Sequence, residues 1–234
     1  MQKNIKNWEN LEQTVLKIGL LPYFRNKIEG FSVEENVPEV LLWDIDNGPW
    51  EWKGLVLRDM KVAYGKFFDK RAGYISLEWL PHFINYRRSR YFIAPDSAEA
   101  EILSVLREHE SLLSKELKVI CGYVQPRTPR KSANPFENID KTPKQSGSKT
   151  DSRFESAVTR LQMAGYVTIA DFEYLYDRQG NRYGWGVARY TTPEALYEIK
   201  QANCSPTDSF KTLVENLRKN FPEMNPIKIH RLLG

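Results

Sequence analysis

Two sets of residues in this chain have types and spacings that could do chemistry. The first is cationic and hydroxylic. Ser152, Ser156, Thr159, Arg160 and Met163 fall on one side of a helix when Phe154, Ala157, Val158 and Leu161 take the other. Small hydroxyls let a duplex approach closely, and an arginine reaches phosphate or the O6 and N7 edge of guanine. Arg178 and Arg182 stand in a polar hexapeptide further on, Asp177–Arg182, placed to follow phosphates or enter a minor groove. Arg127, Arg130 and Lys131 belong to the same set and lie in a proline-rich basic stretch. The second set is acidic: Asp44, Asp46 and Glu51 stand among Trp43, Trp50 and Trp52. A carboxylate beside indoles is shielded from water, so its pKa can rise and it can serve as general acid or base. A turn rich in Asp, Asn and Gly accounts for the same carboxylates without any catalysis.

The elements that must position the first set are legible. Tyr166–Tyr190 reads as a two-stranded ribbon, with Tyr, Phe, Val and Ile on both arms and Gly180-Asn181 at the turn. Three helical segments precede it. Asp96 with Glu99 has the form of a capping box, and Ala98, Ile102, Val105 and Leu106 make one stripe. Ser114 is expected to cap a second helix, with Leu117, Ile120 and Cys121 facing inward and Gly122 stopping it, and residues 152–164 form the third, followed by Gly165. Three helices followed by a ribbon is the winged-helix order. Residues 124–150 interrupt it with four prolines, no period, and six basic residues against two acidic ones, a surplus of four. A connection this long is either functional or disordered. If functional, it is a basic arm for a phosphate backbone, and binding becomes steeper in salt.

Upstream, Trp8, Leu11, Val15 and Ile18 recur at helical spacing after Asn7, with Gly19 and Pro22 to close the helix. Ser32-Val33-Glu34-Glu35 has capping-box form. Residues 41–54 read as loop leading into strand, and 61–68 with 73–80 as a hairpin joined by Asp69-Lys70-Arg71-Ala72. The stretch Tyr86–Tyr91 interleaves basic and aromatic residues as single-strand binders do, or else as core aromatics with surface arginines. Downstream, Thr192-Pro193-Glu194 opens a short helix through Ile199, and 207–219 carries Phe210, Leu213, Val214 and Leu217 on one face. A last turn begins at Asn225-Pro226. These helices are expected either to pack back on the core or to pair with a second copy as a homodimer.

The expected fold class is α+β: a winged-helix domain of three helices and a β-ribbon wing, preceded by a small α+β domain with a β-hairpin. The expected divisions are 1–94, 95–192 with the basic insert at 124–150, and a helical tail at 193–234. The chain has 234 residues, 41% hydrophobic and 27% charged, which is ordinary for a soluble globular protein. Its net charge of +4 permits contact with nucleic acid without demanding it, and the surplus resides in the 124–150 insert. No apolar run approaches a membrane span and the N-terminus lacks a signal-peptide core, so a cytoplasmic location without membrane contact is expected. Cys121 and Cys204 are expected as reduced thiols, and with His82, His109 and His230 they make no metal-ligand pattern. Neither a metal nor a cofactor is expected.

GPWEWKGLVLRDMKVAYGKFFDKRAGYISLEWLPHFINYRR (48–88) and RLQMAGYVTIADFEYLYDRQGNRYGWGVARYTTPE (160–194) resemble a group of bacterial proteins labelled AlkZ-related. The resemblance covers about residues 19–195. It implies a distant similarity to winged-helix DNA glycosylases, which excise alkylated or crosslinked bases and position water with a Gln-x-Gln or Gln-x-Asp pair. Glutamines stand here at 2, 13, 125, 145, 162, 179 and 201, and none has Gln or Asp two positions later. No catalytic residue is therefore carried over, and what the resemblance implies is nucleic-acid binding. The leading expectation is duplex DNA binding, in DNA repair. The alternatives are a glycosylase-like repair enzyme with a non-standard catalytic residue, and a winged-helix protein-interaction module.

Overall fold

The computed structural model describes residues 4–44, 47–124, 149–180 and 182–234. Asn7 caps α1 (Trp8–Ile18), its side chain accepting the Asn10 N–H at 2.8 Å, and Leu11, Val15 and Ile18 are buried at the expected spacing. β1 (Leu20–Pro22) follows, then α2 (Val33–Asn36), capped by Ser32, and α3 (Glu39–Leu42). Residues 41–54 depart from the loop-to-strand expectation, because α4 runs from Pro49 to Arg58. Pro49 at the first turn lacks only an N–H that a helix leaves unbonded there, so the Gly-Pro pair starts a helix. Trp52 and Val56, four residues apart, then bury one side of it.

β2 (Val62–Phe68) and β3 (Arg71–Ser76) form the expected hairpin, with a shorter connection. Asp69 and Lys70 alone make the turn, at φ +48° and +63°, the pair of positive values that matches strand twist in a two-residue loop. The strand expected over 73–80 is cut short: β3 ends at Ser76 and α5 (Leu80–Arg90) begins, with Pro81 in its first turn. Tyr86–Arg90 is the end of that helix. Two of its arginines are structural: Arg87 is buried and donates to the Phe67 carbonyl at 2.9 Å, and Arg88 pairs with Glu194 and donates to the Gly165 carbonyl at 2.7 Å, while Arg90 is exposed.

Next come α6 (Ala98–His109), β4 (Ser111–Leu113), α7 (Ser114–Ile120), α8 (Lys149–Met163), β5 (Thr168–Tyr176) and β6 (Arg182–Thr191). Ser97, one residue beyond the expected Asp96, caps α6 by accepting the Ala100 N–H at 3.2 Å. Ser114, expected as the cap of α7, is its first residue, with Leu113 at the cap position and its N–H donated to Glu116 at 2.9 Å; Ile120, expected inward, is exposed, while Leu117 is buried. α9 (Pro193–Leu196), α10 (Pro206–Asn220) and α11 (Pro226–Leu233) complete the chain.

The six strands among the described residues join one antiparallel sheet in the order β1-β3-β2-β5-β6-β4. The join between its halves is narrow: Tyr64 of β2 opposite Ile169 of β5, reinforced by the Thr168 hydroxyl donating to the Tyr64 carbonyl at 3.0 Å. Buried residues from both sides of residue 95 form one cluster, in which Phe67, Phe68 and Phe83 meet edge to face. The tail packs back on the chain. Leu213, Leu217, Ile229 and Leu233 are wholly buried, and Asn216 donates to the Ile18 carbonyl at 2.7 Å. The apolar stripe of α10 that could have met a second copy is thus used internally, chiefly against α5.

Candidate nucleic-acid interface

α8 divides as its spacing requires. Phe154, Ala157, Val158 and Leu161 are buried against α6 and the sheet and Ser152, Arg153, Ser156 and Arg160 are exposed, whereas Thr159 and Met163, expected on the outer side, are half-buried because they lie at the margin facing the sheet and the helix end. Gly165 at φ +75° ends the helix and turns the chain into β5, a conformation that costs a side-chain-bearing residue strain. The two polar groups nearest the sheet are committed to it. Thr159 accepts the Lys66 ammonium at 3.3 Å, and buried Gln162 accepts the Lys66 backbone N–H at 2.9 Å. Gln162 therefore rivets α8 to β2.

Arg160 is exposed on one side and tethered on the other. Its Nε donates to Glu99 of α6, and its Nη1 donates to Ser156 Oγ at 2.8 Å. Burial acts most strongly and would raise the Glu99 carboxyl, but the hydrogen bonds and charge of Arg160, with backbone and Tyr91 hydrogen bonds, together outweigh it and leave the group below its ordinary value. The carboxylate thus stays ionised at neutral pH and holds part of the arginine's charge.

β5 and β6 pair from Thr168↔Thr191 out to Tyr176↔Arg182, and exposure climbs along β5 from 6% at Ile169 to 63% at Tyr176. At the tip the Gly180 N–H meets the Asp177 carbonyl at 3.1 Å. Arg178 is exposed there and forms no ion pair among the described residues. Arg182 is engaged: it bonds Glu51 at 2.6 Å and lies 3.4 Å above the Tyr174 ring, whose hydroxyl reaches Glu51 at 3.4 Å.

A residue expected to touch DNA and one considered for catalysis thus meet in one cluster. Glu51 is held by Arg182 and Tyr174, and Asp44 accepts the Asn47 N–H at 2.9 Å as a turn-forming side chain. Asp46 lies outside the described residues, as do Arg127, Arg130 and Lys131.

Lys53, which sequence reasoning missed, completes the cluster. It is 2% exposed, and its ammonium sits 3.7 Å from the centre of the Trp50 ring and 4.5 Å from that of Phe172. Burial pushes the amine down to about 8; Glu51 opposes this and Arg182 adds to it. The available signal was periodicity: on a helix Lys53 shares a side with Trp50 and Leu57, visible only once 49–58 is read as helical. Among the described residues no group of three or more His, Cys, Asp or Glu could hold a metal ion. Both thiols are free, Cys121 buried and Cys204 exposed.

Over residues 5–234 the chain matches the family described as AlkZ related. It belongs to the AlkZ-related family. The match extends the resemblance seen at about 19–195 to α1 and to the helical tail that closes the core. Neither a curated protein nor a solved structure matches the chain. No helix among the described residues is long and apolar enough to cross a membrane.

Proposed function

We propose that this AlkZ-related chain binds duplex DNA, in the service of DNA repair, through a winged-helix unit made of α6, β4, α7, α8, β5 and β6. The observation that carries this is β4. A three-residue strand between the first two helices pairs with the base of the ribbon, Ser111↔Thr191 to Leu113↔Arg189. Helix, short strand, two helices and a ribbon, with the short strand closing on the ribbon's second arm, is the winged-helix arrangement. It leaves α8 with an exposed polar face and the outer end of β5, at Leu175 and Tyr176, exposed. In this reading α8 is the recognition helix, with Ser152, Ser156 and Arg160 toward the groove. Arg178 and Arg182 form the wing's phosphate contacts. The water-positioning pair of the glycosylases it resembles is missing from the sequence, so the proposal is binding and not excision.

The test is a salt titration with random-sequence duplex. Replacing Arg160, Arg178 and Arg182 together by Ala should weaken binding at least tenfold. The slope of log K against log salt should flatten by about 0.9 for each phosphate no longer neutralised. No binding by the wild-type chain near 50 mM salt, or a triple variant with unchanged affinity and slope, would sink this reading.

A further inference from the structure

A cleft of about 300 Å³ opens between the segment after β1, the β2–β3 turn and α11. Its floor is apolar: Phe68 and Leu232 are buried, and Phe24 offers a half-buried ring. Its rim is cationic. Arg25, Lys27, Arg71, Lys228 and Arg231 line it, all exposed, with Asp69 as the sole acid. None of the five makes an ion pair among the described residues; Arg71 only reaches the Arg25 carbonyl, at 3.4 Å.

This is not the ordinary surface of the chain. With 34 basic and 30 acidic residues overall, and the surplus lying in 124–150, the remainder is near neutral. Five cations against one acid is therefore a local concentration, assembled by the fold from three segments far apart in sequence. Like charges gathered around an apolar floor repel one another, and a ligand with negative charge at its edge and a flat apolar body relieves that. The volume lies at the lower end for small-molecule sites, room for one such unit and not two.

We propose that this cleft binds a single unpaired nucleotide of a nucleic-acid strand, its base on Phe24, Phe68 and Leu232 and its phosphate on the cationic rim. The proposal rests on the nucleic-acid reading above and extends it to a second site. The cleft and the inner side of α8 both meet β2. Phe68 is two residues from Lys66, which holds Thr159 and Gln162 of α8, a separation of about 7 Å at the rise of a strand.

Calorimetry on the full chain, with adenosine 5′-monophosphate, adenosine and inorganic phosphate as separate probes, tests the site. The mononucleotide should bind at least tenfold tighter than either part alone. An R71E/R231E double variant, changed at exposed positions and checked for an unaltered melting temperature, should lose at least tenfold. Duplex with a one-nucleotide overhang should bind tighter than blunt duplex, and the double variant should lose that preference while keeping blunt-duplex affinity. Mononucleotide binding that the variant loses would uphold the cleft even if blunt duplex failed to bind, the result that sinks the winged-helix reading alone. No mononucleotide binding at millimolar concentration, or equal affinity for phosphate and mononucleotide, would overturn it. So would capture by anionic phospholipid vesicles that the variant loses with no change towards nucleotide.

Discussion

The two hairpins, β2–β3 and β5–β6, are built from similar residues and end in different places. Each is an antiparallel pair rich in Tyr and Phe. Along β2 every residue but Lys66 is buried, and Tyr74 of β3 is wholly so; β5 leaves the core after Phe172 and exposes Leu175 and Tyr176. What differs is the cover. β2 lies between β3 and β5 with α4 and α8 packed on it, whereas the outer ribbon meets α4 chiefly through the Glu51 contacts of Tyr174 and Arg182 and leaves Leu175 and Tyr176 exposed. The turns follow suit: Asp69 and Lys70 close β2–β3 as tightly as a chain allows, and the 177–181 loop is longer. Backbone pairing alone does not make a strand part of the core. Two covered faces do, and a ribbon that outruns its cover becomes available for a partner.

The sharpest way to break this contrast is to remove one large side chain from each ribbon and compare the two in denaturant melts. Phe67→Ala deletes a wholly buried ring that meets Phe68 and Phe83, and should cost about 3–5 kcal/mol. Leu175→Ala on the outer ribbon should stay within about 0.5 kcal/mol. Similar losses would mean that the outer ribbon is covered after all.

The boundary between covered and uncovered ribbon lies where Lys53 meets Phe172, and it titrates. With the amine at about 8 in the fold against an ordinary 10.5, the unfolded chain holds a proton that the folded chain has lost between those values. Stability from this group therefore rises with pH across about 8 to 10.5, and at pH 7 the buried charge opposes folding. Lys53→Met should stabilise the protein by about 1–2 kcal/mol at pH 7, with the difference fading above pH 10. A destabilised variant at pH 7 would show that the Trp50 and Phe172 faces outweigh the burial cost.

A smaller effect is expected at α8. Glu99→Gln removes the carboxylate that holds Arg160, and duplex affinity at low salt should rise about threefold, with a steeper salt slope. Unchanged affinity would place Arg160 away from the DNA.

Much of this was legible in the chain itself. The buried quartet of α8, the Asn7 and Ser32 caps and the order of three helices and a ribbon all rest on signals a few residues long. The helix at 49–58 was missed because its tryptophans and the preceding Asp, Asn and Gly read as a turn, while the start signal was Pro49. Lys53 was hidden with it, since a lysine counts as exposed until the helix around it is known. The short strand β4 carries too little pattern for its pairing with β6 to be seen.

By itself the sequence determined α1, α6, α8 and α10 as helices, though not α4 or α5, and which side of α8 turns inward, because capping and periodicity act between residues three or four apart. Only the tertiary structure decided that Arg160 leans on Glu99, that Arg182 joins Glu51 over Tyr174, and that five cations from three segments ring one apolar cleft. Those pairings depend on which distant elements the shared core brings together, and no local interaction energy encodes that.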